Sequence, residues 1–266
     1  MLQALSTILA TRKLEGDVVT FNATEDWAQG RTMFGGFLSA LAVVAMRDTL
    51  SLDIPLRALQ TNFIGPVAVG DVVCHVRLLR QGKSVSQVQC EIYSQETLAG
   101  IVVGVFGAAR ETVIPKQTPH FVALPKTIDE APAMPFIPKI TPNFLQHVKI
   151  RWALGSLPYM GQECWKTGMY LRCEDKSLSA EVLVVMLSDG PPTPVLGQFK
   201  GPVMASSVSW SLELPPLPTE PLEEGWFQID MESVAASDGY ISQSAKLWTP
   251  SGQLASVGYQ VVAVYG

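Results

Sequence analysis

The chain repeats one order of elements twice, and that repeat limits the folds open to it more than any single motif. Residues 34–110 run from Phe34-Gly35-Gly36 through an apolar segment ending near Leu50 into strand-like stretches near 56–65, 71–80, 84–95 and 98–110. Residues 177–265 follow the same order. An apolar segment from Leu178 to Leu187 precedes strand-like stretches near 203–214, 226–233, 239–249 and 254–265, with turns at Gly225-Trp226 and Ser251-Gly252. A repeat of this length predicts two copies of one module joined face to face. One helix laid across one curved antiparallel sheet is the simplest module that fits, so the expected class is α+β.

Proline marks the boundary between the halves. Pro115, Pro119, Pro125, Pro132, Pro135, Pro138 and Pro142 stud a stretch that can continue neither a helix nor a central strand. The expected division is a module over 1–112, a linker over 113–143 and a second module over 144–266. Phe37 to Leu50 is rich in Ala, Leu, Val and Met with few polar breaks, which predicts a buried helix. Alternation of Val72, Cys74, Val76 and Leu78 predicts one strand face turned to that helix.

With 266 residues, 47% hydrophobic and 16% charged, the chain can bury a large core. A net charge of −5 argues against a nucleic-acid surface, which needs clustered Lys and Arg. No stretch approaches the roughly 20 apolar residues that span a bilayer, and Met1-Leu2-Gln3 lacks the basic start of a signal peptide, so a cytoplasmic location is expected. Cys74, Cys90, Cys164 and Cys173 lack zinc-type spacing and read as buried free thiols. His75, His120 and His147 have no nearby acid at catalytic spacing and read as surface or core histidines. No metal site and no cofactor are expected.

Several segments together resemble the type II acyl-CoA thioesterases and their relatives with the double-hotdog fold. They are Met33-Phe34-Gly35-Gly36-Phe37, Asn62-Phe63-Ile64-Gly65-Pro66, Leu79 to Ser84, Leu187-Ser188-Asp189, Ser206 to Ser211, and Gly252 to Gln260. Each is short, and their order and spacing across both halves carry the resemblance. It implies two helix-on-sheet modules in one chain and hydrolysis of a thioester by a water held between an Asp, a Thr or Ser, and a Gln. Residue by residue these become Asp189, Ser207 and Gln260. A thioester carbonyl is electrophilic enough for an oriented water assisted by a carboxylate to attack it directly, so no nucleophilic Ser-His or Cys-His pair is required. Gly35-Gly36, opening the first helix, is a candidate source of oxyanion-stabilising N–H groups.

Other readings of the same residues stand beside these. Asp189 precedes Gly190-Pro191-Pro192, where a solvated turn Asp is common, and the early stop threatens to shift the carboxylate. Strict alternation puts Ser207, Ser209 and Ser211 on one face, leaving Ser207 and Ser209 both open as the hydroxyl of the triad. Gln260 stands in an otherwise apolar strand where an unpartnered amide is costly to bury. A non-catalytic acyl-CoA or acyl-chain binding protein is the alternative function. A hotdog enoyl-CoA hydratase is a further one, though neither helix region supplies its Asp and His pair. The acyl-CoA substrate calls for an apolar tunnel, with Met33, Phe34, Phe37, Met186 and Leu187 placed to line it, and Gly35 and Gly36 join Met33, Phe34 and Phe37 as substrate-binding candidates. Arg80, Lys83 and Lys200 are candidates for the CoA phosphates. One working site per chain is expected, and edge strands offer a route to a homo-oligomer.

Overall fold

A computed structural model of the chain describes residues 2–219 and 221–265 and contains one 12-stranded antiparallel sheet carrying both long helices. The first half comprises α1 (Leu5–Ala10), β1 (Lys13–Glu15), β2 (Val18–Ala23), the small hairpin β3 (Ala28–Gln29) and β4 (Thr32–Met33), and α2 (Gly35–Leu50). It continues with β5 (Leu56–Phe63), β6 (Gly70–Gln81), β7 (Val85–Ser94) and β8 (Thr97–Gly107). The second half comprises β9 (Val148–Leu154), β10 (Lys166–Cys173), α3 (Ala180–Ser188), β11 (Met204–Glu213), β12 (Phe227–Ser237), β13 (Tyr240–Trp248) and β14 (Leu254–Tyr265).

Strand order across the sheet is β1-β2-β6-β7-β8-β5-β11-β14-β13-β12-β10-β9. The halves are therefore joined edge to edge, and the expected face-to-face union is corrected. β5 and β11 would each be a bare edge in an isolated module. Pairing them from Ser209↔Asn62 to Glu213↔Ala58 satisfies their main-chain N–H and C=O groups and makes one sheet of two.

The helices pack against each other in opposite directions. Arg47, in the last turn of α2, donates to both carboxylate oxygens of Glu181 in the first turn of α3. At the other end, Gly36 lies against α3's last turn: a Cβ there would be 2.4 Å from the Met186 carbonyl oxygen. Ser179 caps α3 by accepting from the Val182 N–H, and Gly190-Pro191-Pro192 stops it after nine residues.

The repeat as read from sequence lacked two sheet strands in each half, β1 and β2 in the first and β9 and β10 in the second; β2 and β10 pair with β6 and β12. β10 hid because its residues do not alternate: six of its eight are buried. The linker supplies the cover on its second face. Residues 108–142 form no helix or strand, only an isolated bridge from Ala133 to Arg151. Their carbonyls accept from Tyr170 Oη, Gln228 Nε2 and Arg151 NH1, and Leu124 and Ile128 pack on Ala131, Ala153 and Tyr170. This stretch roofs the second half of the sheet as well as connecting to it.

Two smaller expectations change. Val72, Cys74 and Val76 are buried as predicted, but Leu78, though still paired in phase with Val88, is exposed along with the rest of the end of β6. His147 is a core histidine with an acid partner: its Nε2 lies 2.7 Å from Asp26 Oδ2, brought in from 121 residues away, and its ring stacks on Trp27. Burial holds its pKa below the usual imidazole value, against the pull of Asp26. All four cysteines are free and buried.

Candidate active site

Asp189, Ser207 and Gln260 come from three different elements and meet at one amide. Gln260 Nε2 donates to Asp189 Oδ1 at 2.8 Å and to Ser207 Oγ at 2.8 Å. An ionised carboxylate only accepts, so the nitrogen end of the amide must face Asp189 and its oxygen must face away. That oxygen accepts from Gln243 Nε2 at 2.6 Å. Gln243, on β13, is almost wholly buried and went unnoticed in the sequence. Its signal there was the one now evident for Gln260: an amide at an inward position of a strand whose neighbours Ile241 and Leu247 are buried.

Each member is placed by local structure. Asp189 is the C-cap of α3, and its pKa is raised to about 7. Burial is the main cause, opposed by hydrogen bonds from Gln260 and from the Gly36 N–H. The carboxylate thus sits between two helix ends of opposite sign. The C-terminus of its own α3 disfavours the charge, and the N-terminus of α2 favours it. Only glycine permits that approach, since a Cβ on Gly35 would be 2.6 Å from Asp189 Oδ2. The early stop of α3 does not carry the carboxylate out of reach of Gln260.

Ser207 reaches the site through a bulge. The β11–β14 register shifts between Ser207 and Ser209, so that Ser207 pairs with Val262 and Ser209 with Val261. The extra residue, Val208, reverses the alternation. Trp210 and Ser207 consequently face the helices, while Ser209 and Ser211 face the other way, and the expected single face of three serines is corrected. On β14, Ser256, Gly258 and Gln260 share the inward face. Ser256 Oγ pairs with Ser188 Oγ at 2.7 Å and ties the end of α3 to the strand, and Gly258 leaves room for the Trp210 indole.

The remaining sequence candidates are placed differently. Met33, Phe34 and Phe37 are core residues: Phe34 stacks on Phe144, and Phe37 on Trp27. Met186 and Leu187 are likewise fully buried. These five fill the space between helices and sheet, and none lines the two cavities at the cluster. One, of about 10 Å³, is bounded by Asp189, Gln243, Gln260, Trp210 and Ser188, and has room for about one water. The other is an open groove of about 510 Å³ over β5, β11, β14 and β13, where Asn62, Ser209, Tyr259 and Gln260 contribute. The start of α2 faces the Asp189 carboxylate: a Cβ on Gly35 would lie 2.6 Å from Asp189 Oδ2, and the Gly36 N–H favours the charged form. Among the described residues no cluster of His, Cys, Asp or Glu suits a metal ion, and no helix is long and apolar enough to cross a membrane.

The family model of the acyl-CoA thioesterase N-terminal domain matches residues 23–117, and that of the acyl-CoA thioesterase C-terminal domain matches 128–264. The chain belongs to the acyl-CoA thioesterase family. It is accordingly a thioester hydrolase, with an acyl-CoA substrate implied by the family. Solved structures agree on the double-hotdog fold. A conserved protein of unknown function with hot dog fold from Alicyclobacillus acidocaldarius superposes with a TM-score of 0.87 at 18% identity, covering 100% of this chain and 99% of that one. The acyl-CoA thioesterase II TesB2 of Mycobacterium marinum gives 0.74 at 16%, covering 98% of each. The tesB protein of Mycobacterium avium subs paratuberculosis gives 0.78 at 14%, also covering 98% of each. No match was found among curated proteins.

Proposed function

We propose that this thioesterase hydrolyses fatty or related acyl-CoA to the free acid and CoA by direct attack of a water held by Asp189, Ser207 and Gln260. The observation that carries the reading is the Gln260 amide nitrogen donating at once to a carboxylate of raised pKa and to a hydroxyl. Two oxygens bonded to the same nitrogen are near enough for one water to bridge them. Asp189 takes a proton from that water as its oxygen bonds to the acyl carbon. The carbon–sulfur bond then breaks, and the proton passes to the departing thiolate. A carboxylate with a pKa near 7 is well matched to both transfers at neutral pH. Ser207, already accepting from Gln260, keeps its own hydrogen to donate. One such site per chain, built on the second half and completed by the glycine-opened α2, belongs to the same proposal. Four free cysteines favour a reducing, cytosolic setting.

The test is hydrolysis of acyl-CoA esters from acetyl to palmitoyl, followed by free thiol, with Asp189→Asn beside the unaltered protein. A loss of about 10² or more in turnover with folding intact supports the role given to Asp189. Binding of acyl-CoA without turnover on any ester would make the chain a binding protein instead. Unchanged turnover in the variant would remove Asp189 from the mechanism.

A further inference from the structure

Gln243 is only 4% exposed, and its one hydrogen bond through Nε2 goes to Gln260 Oε1 at 2.6 Å. Its own Oε1 is buried and has no partner among the described residues. As a packing residue this is a poor choice. A leucine of similar size would leave no amide oxygen unmet, so what the fold gains from Gln243 is concentrated in the bond to Gln260.

That bond acts with the Asp189 carboxylate in setting which way the Gln260 amide points. The amide can turn end for end at little change in shape, and only one orientation serves the site. With Nε2 toward Asp189 and Ser207, both are bound by a donor. With Oε1 toward them, an oxygen would face an ionised carboxylate and a hydroxyl oxygen. A donor on the far side of Gln260 favours the first orientation, and Gln243 Nε2 is that donor. The small cavity bounded by Asp189, Gln260 and Gln243 makes these residues one continuous polar cluster under the sheet's inward face.

We infer that Gln243 is a positioning residue of the hydrolytic site, holding the Gln260 amide in the orientation that presents its N–H groups to Asp189 and Ser207. This rests on the function proposed above and extends it one residue outward. In this role Gln243 acts through Gln260.

Two variants separate orientation from packing. Gln243→Leu removes the donor at similar volume. Gln243→Glu, when ionised, replaces the donor by an acceptor, so Gln260 turns its N–H groups toward position 243 and its oxygen toward Asp189. Turnover should fall about 10-fold in Gln243→Leu, with KM within about twofold of the unaltered protein. It should fall further, about 10² or more at pH 8, in Gln243→Glu. In Gln243→Leu the acid limb of kcat/KM should also move to higher pH, because a loosened Gln260 supports the Asp189 carboxylate less. A merely structural residue would lower the amount of folded enzyme and leave that limb in place.

An unchanged kcat and acid limb in Gln243→Leu overturns the inference, and so does equal activity in the two folded variants. Should Gln243→Glu not fold, Gln243→Leu alone decides. Asp189→Asn is run beside them. Turnover that depends on Asp189 but not on Gln243 overturns this inference and leaves the proposed function standing, whereas absence of turnover in the unaltered protein overturns both.

Discussion

Crossing the sheet from β6 to β12, registered pairs set Val76, Cys90, Val102 and Thr61 in one row with Trp210, Gln260, Gln243 and Ser233. The row faces the helices throughout, and β5–β11 divides it into halves that occupy equivalent places in the strand order. In the first half Val76, Cys90 and Val102 are buried and need no partners. In the second half the places opposite Val102, Cys90 and Val76 hold Gln260, Gln243 and Ser233. Burying a valine contributes roughly 1.5–3 kcal/mol, while each unmet polar group opposes folding by about 1–3 kcal/mol. Gln243 Oε1 and Ser233 Oγ are two such groups. One half of the sheet is filled for stability, and the other spends stability on a polar cluster.

The helices differ in the same direction. α2 runs sixteen residues and closes on Ser51 in a left-handed conformation, and its late Asp48 is engaged by Arg12. α3 stops after nine, and its cap residue is Asp189. A long helix over an apolar row makes a core. A short one ending in a carboxylate over an amide row makes the candidate site.

The sharpest way to break the comparison is to write the first half's residue into the second. Gln260→Val should reduce turnover by about 10² to 10³, because Asp189 and Ser207 lose their shared donor together. It should also destabilise the protein by about 1–3 kcal/mol, because Gln243 Nε2 loses its acceptor. Adding Gln243→Leu should recover much of that stability in denaturant titration and none of the turnover. If Gln260→Val retains activity, the polar row is not what distinguishes the halves.

A smaller effect comes from pH and tests whether the site is held at the expense of stability. Asp189 is raised to about 7 from an unfolded value near 3.8. Between those values the folded state binds more protons than the unfolded one, so stability is fully present below about pH 4 and falls as pH rises through 7. Asp189→Asn lacks that titration. It should therefore gain on the unaltered protein by on the order of 1–2 kcal/mol at pH 8, and the gap should close toward pH 4. Denaturant midpoints of both proteins across this range measure it. A gap independent of pH would mean that burial of Asp189 does not set the cost.

Much of this contrast was legible in the sequence. Eight strand stretches and both helices follow from alternation and apolar runs, because each leaves a local trace; the three candidate site residues came from the family resemblance, and the fold brings them into one hydrogen-bonded cluster. What was not legible depends on neighbours distant in the chain. β10 falls outside the repeat read from the sequence, because the linker buries its outer face and removes the alternation, leaving only the strand-like run around Cys173 as a trace. Asp26 lies 121 residues from the His147 it meets. Gln243 looks like any polar strand residue until β14 is laid beside it. Phe34 and Phe37 had the right composition for a tunnel wall, but composition does not separate a wall from a core.

Ser207 and Ser209 give the finest test, since the two halves of one strand differ here by a single inserted residue. Perfect alternation would put both hydroxyls on the inward face, and the bulge at Val208 leaves only Ser207 there, bonded to Gln260. Under the proposed mechanism Ser207→Ala should lower turnover about 10-fold: it removes one of the three groups proposed to hold the water while Asp189 and Gln260 remain joined. Ser209→Ala, on the opposite face, should leave kcat within about twofold. A reversed result would place the register shift elsewhere in β11 and return Ser209 to the inward row. Equal small losses would mean that the hydroxyl is dispensable and that the carboxylate and amide orient the water without it.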